Sequence, residues 1–406
     1  MTIALARRME VVRASDIREL LKLTARPSVI SFAGGLPAAE LFPVVELAEV
    51  ARRVLLGHGS RALQYSTTEG HPPLRSWIQT RMNSLWGTRY SADEVLVTTG
   101  SQQALDLVGK LLIDDGDEVL CESPTYLGAI SAWNVFRPRW VEVPTDDEGM
   151  DITALEKLLD RCTRPKLIYV VPNFQNPSGR TWSLRRRHEL AEVARRRGVP
   201  IVEDNPYGEV RFEGEHLPAA ASFDSEGLVI SLGTFSKVLC PGLRVAWVAA
   251  SRPLHAGLVT LKQGADLHTS TLDQMILTGY LETYDLDANV RRVVAAYRER
   301  RDAMIRALAG DMPAGVRFSR PQGGLFLWVE LPAGIDTREL LVASLACDVA
   351  FVPGESFFPV SGRRNTMRLN FSAMPPERIG EGIRRLAALV GEVLARTSCA
   401  REAVVA

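Results

Sequence analysis

Short apolar runs alternate with segments of helical periodicity through the middle of the chain. The apolar runs are of strand length and lie at 94–99, 118–121, 167–171, 199–203 and 228–232. Helical patterns follow the first three of these runs. Strands that alternate with helices in this way are typical of a sheet whose strands are mostly parallel. The sequence therefore predicts an α/β fold whose sheet is mostly parallel.

The pattern changes toward the C-terminus. A long polar helix is predicted over 285–309, and short strands separated by helices follow it. These strands lie at 323–330, 349–352 and 367–371. This arrangement predicts a second, smaller α+β domain.

Near the N-terminus, residues 15–24 have the pattern of a short amphipathic helix, with Ser15 or Asp16 as its N-cap. We expect this helix and the segment after it to join the small domain. The expected parts of the chain are 1–45 for this segment, 46–290 for the large α/β domain and 291–406 for the small domain.

Composition and charge argue against several classes of function. With 46% apolar and 24% charged residues, the 406-residue chain is expected to be globular and soluble. It carries 48 basic and 48 acidic residues without a concentrated basic stripe, so nucleic-acid binding is not expected. No segment approaches the roughly 18 apolar residues of a membrane span. Five scattered cysteines predict neither a disulfide framework nor a zinc site, and a cytoplasmic protein is the default.

Lys237 is the strongest candidate for a catalytic residue. It follows the apolar run 228–232 and precedes a Pro-Gly turn, which places it at the end of a buried strand. Loss of hydration at such a place lowers the pKa of a lysine and makes its neutral amine available to attack a carbonyl. Thr234, Ser236 and Arg244 flank it, with hydroxyls and a positive charge suited to a phosphate. A lysine in an ordinary surface turn is the alternative.

The chain has only six lysines, so this position stands out. Four others lie in segments with helical periodicity, where the ammonium group is usually solvated. These four are Lys22, Lys110, Lys157 and Lys262. Lys166 precedes a strand and is expected to point to water.

Polar residues also follow other predicted strands. Ser101 and Gln102 begin a helix, where backbone amides form a natural phosphate seat, although a plain N-cap is the alternative. Asp204 and Tyr207 are expected in the same cleft as Lys237, because the carboxyl ends of strands form the ligand crevice in open α/β sheets. A buried Asp there needs a cationic partner such as a protonated pyridine nitrogen, and an exposed Asp is the alternative.

Three further residues are candidates for contacts in this cleft. Asn176 has an amide that can bind a ligand oxygen, or it forms part of an Asn-Pro turn. Tyr126 stacks on an aromatic ligand or belongs to the core. Arg368 lies in a predicted strand between apolar neighbours and must be paired, either with a substrate carboxylate or in a structural ion pair.

Together these segments identify a known family. The sequence resembles the fold-type I pyridoxal-phosphate aminotransferases of class I/II, and within them the 2-aminoadipate (lysine-pathway) and kynurenine-type aminotransferases. The resemblance covers nearly the whole chain from about Ser15. Its motifs are SFAGGLP (31–37), QYSTTEG (64–70), TGSQQALD (99–106), PNFQNPSG (172–179), VEDNPY (202–207), GTFSKVLCPGLR (233–244), KQGADLH (262–268) and RPQGG (320–324). Each motif is weak alone, and their common order makes the assignment specific.

The resemblance implies the fold-type I architecture, with a large α/β domain built on a mostly parallel sheet of the seven-stranded type and a smaller α+β domain. It also implies pyridoxal 5'-phosphate as the cofactor. Lys237 would bind it as a Schiff base and later shuttle a proton, and Asp204 would pair with its pyridine nitrogen. The other implied contacts are Asn176 and Tyr207 on the phenolic oxygen, Tyr126 on the ring face, and Ser101, Gln102, Ser236 and Arg244 on the phosphate. Tyr65 would reach across from a second subunit, which implies a homodimer.

The resemblance also implies a set of substrate contacts. The residues concerned are Arg368, Gly35, Asn176, Tyr65, Ser15 and Arg18. Arg368 would bind the α-carboxylate, and the backbone near Gly35 would close over it. Ser15 and Arg18 would face the distal part of the substrate, where an arginine suits a side-chain carboxylate. A solvated helix face is the alternative for Arg18.

The implied reaction moves the α-amino group of an amino acid to a 2-oxo acid in two half-reactions with ping-pong kinetics. Expected donors are 2-aminoadipate, glutamate or a broad aliphatic and aromatic range, and the expected acceptor is 2-oxoglutarate. Asn205 and Cys240 depart from the family pattern and leave the side-chain preference open. A pyridoxal-phosphate oxidase, lyase or decarboxylase on the same scaffold is the alternative. An effector-sensing domain is less favoured, because about thirty residues before Phe32 are too few for a DNA-binding domain.

Overall fold

The computed structural model describes residues 3–12, 26 and 28–405, with side chains as far as residue 396. The helix predicted over 15–24 lies outside the described residues, together with Ser15 and Arg18. Within the described ranges, no helix has the length and apolar character needed to cross a membrane.

Strands and helices alternate along the described part of the chain. The strands are β1 (Ile30–Ser31), β2 (Val95–Thr99), β3 (Glu118–Ser123), β4 (Arg139–Asp146), β5 (Gly149–Met150), β6 (Pro165–Val170), β7 (Ile201–Asp204), β8 (Val229–Thr234), β9 (Val245–Ala249), β10 (Arg317–Phe318), β11 (Phe326–Glu330), β12 (Val349–Ala350), β13 (Val352–Pro353) and β14 (Thr366–Asn370). The α-helices are α1 (Val44–Ala62), α2 (Pro72–Trp86), α3 (Ser101–Leu112), α4 (Leu127–Trp133), α5 (Ile152–Leu159), α6 (Leu184–Arg197), α7 (Arg252–Ala265), α8 (Thr271–Thr283), α9 (Leu286–Asp311), α10 (Thr337–Ala346) and α11 (Pro376–Val405). Short 3₁₀ helices lie at Arg7–Glu10, Ala39–Leu41, Ala92–Glu94, Asn134–Phe136, Ala220–Phe223 and Gly354–Phe357.

The largest sheet in the described ranges has its strands in the order β2-β9-β8-β7-β6-β3-β4-β5. From β8 to β4 along this order, neighbouring strands run parallel. Strand β9 is antiparallel to both β2 and β8, and the two-residue strand β5 is antiparallel to β4. The predicted mostly parallel α/β fold is confirmed.

The central strands of this sheet are buried on both faces, which explains their continuous apolar runs. In β6, Leu167 and Tyr169 belong to one hydrophobic core, whereas Ile168 and Val170 belong to a second one. Alternate residues of a strand point to opposite faces, so the sheet separates the two cores. The candidate site lies on the side of Tyr169.

Two further sheets involve C-terminal strands. Strands β10, β11, β14 and β13 form an antiparallel four-stranded sheet. Strand β1 pairs in parallel with β12, with Ile30 opposite Val349, so the segment near residue 30 is attached to the C-terminal part of the chain. Helix α9 runs across the expected boundary at 290–291, and the three-part domain division stays a prediction.

Lys262 differs from what helical periodicity predicts. It does lie on a helix, α7, but its side chain is fully buried and not solvated. Its Nζ donates to Oδ1 of Asp266 at 2.8 Å and to Oε1 of Gln103 at 2.7 Å. The carboxylate compensates the buried ammonium group. Through Gln103 this ion pair ties α7 to α3, and through the hydrogen bond that Asp266 accepts from Thr99 it ties α7 to the end of β2.

Candidate active site

Three neighbouring parallel strands, β6, β7 and β8, end at the same edge of the main sheet. Asp204 is the last residue of β7, and its Cα is paired with that of Leu232 on β8. Lys237 follows three residues after the end of β8. The topology of the sheet therefore brings this carboxyl group and this amine to one crevice, as the carboxyl-end rule predicts.

The amine of Lys237 is held in the crevice by the N-terminal segment. Its Nζ donates a hydrogen bond to the backbone oxygen of Gly35 at 2.9 Å. Burial, together with the positive charges of Arg368 and Arg244, lowers the pKa of Lys237 to about 8. A lysine in this environment has more of its neutral, nucleophilic form near neutral pH than a solvated lysine.

Asp204 has one carboxylate oxygen engaged and one without a hydrogen-bond partner. Oδ2 accepts a hydrogen bond from the phenol of Tyr169 at 2.9 Å. Oδ1 is buried and has no partner among the described residues. Burial raises the pKa of Asp204 to about 7, and the hydrogen bond from Tyr169 opposes this rise. A buried acceptor of this kind is suited to a cationic N–H donor such as a protonated pyridine.

Arg368, on β14, is fully buried and has no acidic partner in the described part of the chain. Its Nη1 donates to Oδ1 of Asn176 at 2.9 Å, and its Nη2 donates to the backbone oxygen of Ala33 at 2.8 Å. The guanidinium carbon lies 4.1 Å from the ring centre of Phe326 and 5.2 Å from that of Phe357. The structural ion pair considered from the sequence is therefore absent among these residues, and the positive charge is left for a carboxylate ligand.

The start of helix α3 and Arg244 together form an anion-binding end of the crevice. Gly100 has a φ of +76°, and a Cβ on this residue would lie 1.9 Å from Nη2 of Arg244, so the guanidinium occupies the space of the missing side chain. The hydroxyl of Ser101 is buried and has no hydrogen-bond partner among the described residues. A helix N-terminus, an arginine and a hydroxyl provide the donors that a phosphate needs.

Asn176 and Tyr207 form a polar pair on the wall of the crevice. Nδ2 of Asn176 donates to the phenolic oxygen of Tyr207 at 3.2 Å. Burial raises the pKa of Tyr207, so its phenol keeps its proton and can donate it to a ligand oxygen.

These groups surround one cavity with a volume of about 300 Å³. The predicted site residues that line it are Gly35, Ser101, Gln102, Tyr126, Asn176, Asp204, Tyr207, Ser236, Lys237, Arg244 and Arg368. Tyr65 does not line it, and 79% of this side chain is exposed. Ser15 and Arg18 lie outside the described residues.

The donor set of the cavity fits pyridoxal 5'-phosphate. The orphaned oxygen of Asp204 matches the pyridine nitrogen, the phenol of Tyr207 matches the phenolic oxygen, and the amine of Lys237 matches the aldehyde. The N-terminus of helix α3, the guanidinium of Arg244 beside Gly100 and the hydroxyl of Ser101 match the phosphate. The fold and this site define a pyridoxal-phosphate enzyme of fold type I.

The chain belongs to the family "Aminotransferase class I and II", whose model matches residues 27–386. It is therefore a pyridoxal-phosphate-dependent aminotransferase, and the family, enzyme class and cofactor predicted from the sequence are confirmed.

Relatives and solved structures agree with this assignment. The chain is 46% identical to aromatic-amino-acid aminotransferase 1 of Thermococcus litoralis, over 94% of this chain and 92% of that protein. It is 47% identical to the 2-aminoadipate transaminase of Thermus thermophilus, over 95% and 96%. Among solved structures, kynurenine aminotransferase of Pyrococcus horikoshii is 40% identical with a TM-score of 0.92, covering 96% of this chain and 97% of that chain. The α-aminoadipate aminotransferase LysN of Thermus thermophilus is 45% identical with a TM-score of 0.90, covering 96% and 98%.

The sequence-based prediction lacks Tyr169 and Phe326, which both contact residues of the site. Tyr169 donates to Asp204, and Phe326 lies against the guanidinium of Arg368 and lines the cavity. Phe326 carries no signal, because it sits in an ordinary apolar strand. For Tyr169, a signal does exist, since it is the one residue with a polar atom in the run 167–171.

We predict that Lys237 becomes reactive near pH 8. Its pKa is lowered to about 8, so the amine is charged below this pH and neutral above it. Acylation of cofactor-free protein by acetic anhydride, followed at Lys237 by mass spectrometry, should rise with pH to a plateau with a midpoint near 8. An added lysine peptide, whose pKa is about 10.4, serves as internal standard. A Lys237 profile that follows the peptide would contradict the lowered pKa.

We predict that Gly100→Ala weakens binding of pyridoxal phosphate about tenfold or more, because the new Cβ displaces Arg244 from the helix N-terminus. The measurement is a fluorescence titration of cofactor-free protein. Gly116→Ala is the matched control, since Gly116 has a similar φ of +82° but no atom within 4 Å of the added Cβ. Equal affinities of the two variants would show that the contact with Arg244 has no part in cofactor binding.

Proposed function

We propose that this aminotransferase takes the α-amino group from 2-aminoadipate, glutamate or aliphatic and aromatic amino acids and gives it to a 2-oxo acid, with 2-oxoglutarate as acceptor. The observation that carries the proposal is Arg368, a buried arginine in the cavity of Lys237 with no acidic partner among the described residues. The relatives named for aromatic amino acids and for 2-aminoadipate support this range of donors. A cytoplasmic location stays a prediction from the sequence.

Arg368 binds the α-carboxylate of the substrate. Asn176 and the backbone of Ala33 hold its two terminal nitrogens, while its Nε has no partner among the described residues. The rings of Phe326 and Phe357 exclude water from the guanidinium, which strengthens its attraction for an anion. The α-carbon of the amino acid is thereby placed beside Lys237.

Lys237 moves the proton of the substrate. When bound, pyridoxal phosphate supplies the electron sink that stabilises negative charge at the substrate α-carbon. The amine of Lys237 would take the proton from this carbon and would return it at the C4′ position, because its lowered pKa suits both steps near neutral pH. Asp204 would hold the proton on the pyridine nitrogen.

The lining of the cavity supports the remaining cofactor contacts that we propose. Ser101, Gln102, Ser236 and Arg244 hold the phosphate. Asn176 and Tyr207 bind the phenolic oxygen, and Tyr126 covers the ring face. Gly35 supplies backbone next to the substrate, where a side chain would approach Phe326 to 3.2 Å.

Tyr65 completes the site of a second copy in a homodimer. Its side chain is 79% exposed and lies apart from the cavity of its own chain. Its ring stands edge-on against His268, with 5.8 Å between the centroids, and Ser66 N donates to Nε2 of His268 at 3.3 Å. An exposed tyrosine on a fixed loop is suited to reach a neighbouring subunit.

Ser15 and Arg18 recognise the distal part of the substrate. This assignment rests on the position of both residues in the predicted helix 15–24. Arg18 pairs with the side-chain carboxylate of 2-aminoadipate or glutamate, and moves away for an apolar side chain.

The half-reaction provides the test of this function. Holoenzyme mixed with each amino acid, in the absence of an oxo acid, should lose the absorption band of its lysine-bound cofactor and gain that of pyridoxamine phosphate. Lys237→Ala cannot form the lysine-bound band, and it should gain the pyridoxamine phosphate band about a hundredfold or more slowly than the unaltered enzyme, because proton transfer loses its general base. Lys110→Ala is the control, since Lys110 pairs with Asp106 on the outside of α3. Comparable rates for Lys237→Ala and the unaltered enzyme would refute the mechanism.

We predict that Arg18→Ala lowers kcat/KM about tenfold or more for 2-aminoadipate and glutamate, through loss of a charge-assisted hydrogen bond. The kcat/KM for leucine and phenylalanine should fall much less, because these donors have no second carboxylate. Steady-state kinetics on the four donors measures the difference. Arg306→Ala, at an exposed arginine on α9, is the control. An equal loss on all four donors would assign Arg18 no part in side-chain recognition.

A further inference from the structure

Tyr169 lies directly behind Asp204 in the main sheet. On β6 its Cα is paired with that of Val202 on β7, two residues before Asp204. Residues two apart on a strand share a face, so Val202 and Asp204 point to the same side as Tyr169. The side chain of Tyr169 extends toward the carboxyl end of β7, and its phenol donates to Oδ2 of Asp204 at 2.9 Å.

The ring of Tyr169 is held in place by packing. It is fully buried and stands edge-on to the ring of Trp133, with 5.2 Å between the centroids. Trp133 in turn donates from Nε1 to the backbone oxygen of Leu105 on α3 at 2.7 Å. The donor to Asp204 is thereby connected to the helix whose N-terminus forms the anion-binding end of the cavity.

The surroundings of Asp204 leave Tyr169 as its hydrogen-bond donor. No lysine, arginine or histidine in the described part of the chain pairs with this carboxylate. The titratable groups on which its charge acts are the phenols of Tyr169, Tyr126 and Tyr207. Glu122 also faces Tyr169, and burial raises the pKa of Glu122 to about 7. With Oδ2 engaged, Oδ1 is the oxygen that remains for a ligand.

We propose that Tyr169 is a positioning residue for the cofactor. Its phenol holds Oδ2 of Asp204, aims Oδ1 at the pyridine nitrogen and stabilises the ionised carboxylate in a buried place. This inference rests on the proposed role of Asp204 in cofactor binding.

Loss of the phenol has a consequence of definite sign. Without its donor, the buried carboxylate of Asp204 is a stronger base, so the proton between Asp204 and the pyridine nitrogen moves toward Asp204. A pyridine ring with less positive charge would withdraw less electron density from the nitrogen of Lys237, through which the cofactor would be bound. The pKa of that nitrogen would therefore rise.

The experiment is a pH titration of the cofactor's visible absorption in the holoenzyme with Tyr169→Phe. We expect the midpoint to rise by about 0.5 pH unit or more, and the affinity for pyridoxal phosphate to fall several-fold. Tyr90→Phe is the matched control: its phenol also contacts the main sheet, at the backbone of Val229 at 3.0 Å, but does not reach Asp204. An unchanged midpoint in Tyr169→Phe, or an equal rise in both variants, would overturn the proposal.

A second set of variants separates this inference from the role of Asp204. Asp204→Asn should raise the midpoint by itself, and adding Tyr169→Phe should then change it no further, because the two residues act through one carboxylate. An unshifted midpoint in Asp204→Asn would refute the role of Asp204 and the inference with it. If Tyr169→Phe does not fold, 3-fluorotyrosine at position 169 decides the question. As a stronger donor it should lower the midpoint, and an unchanged or raised value would overturn the proposal.

Discussion

The burial of Arg368 without a counter-ion among the described residues is the constraint on which the site depends. Its terminal nitrogens donate to two neutral acceptors, Asn176 and the backbone of Ala33, and two aromatic rings lie close to it. These contacts satisfy hydrogen bonds but leave the positive charge uncompensated in a place of low dielectric, which costs several kcal/mol. The same charge lowers the pKa of Lys237. An anion bound at Arg368 therefore relieves a cost that the fold already contains and changes the basicity of the lysine at the same time.

Distant parts of the chain must pack together before this constraint exists. Arg368 comes from the C-terminal sheet, Ala33 and Gly35 from the N-terminal segment, and Lys237 from the end of a strand in the main sheet. Asn176 joins them, because it accepts from Arg368 and donates to Tyr207. The hydrogen bond from Lys237 to Gly35 adds a direct link between the main sheet and the N-terminal segment. The amine of Lys237 and the guanidinium of Arg368 are thus positioned by the same packing.

The sequence predicts the groups at the strand ends well, because two simple rules act there. Apolar runs locate the buried strands, and parallel topology brings their carboxyl ends together, which was enough for Lys237 and Asp204. Contacts between side chains follow other rules. Helical periodicity does not reveal that Lys262 forms an ion pair with Asp266. A strand pattern does not reveal that Arg368 lacks a carboxylate partner among the described residues. Whether a residue is solvated or paired is decided by tertiary packing.

The two ends of the cavity, at Arg244 and at Arg368, differ in their exposure to solvent, and this difference bears on assembly. Arg368 is enclosed, whereas Arg244 is exposed beside Gly100 at the rim of the cavity. Helix α1 lies close in sequence to the exposed Tyr65, and its residues Leu55 and Leu56 are exposed to solvent. Leu63, directly after this helix, is also exposed. Apolar side chains grouped in this way are typical of a protein interface. In the proposed homodimer, a second copy would cover such a surface, and its Tyr65 would add a contact to the phosphate at the exposed end formed by Arg244. The cofactor site would then depend on both copies, which would account for the exposure of Arg244 in a single chain.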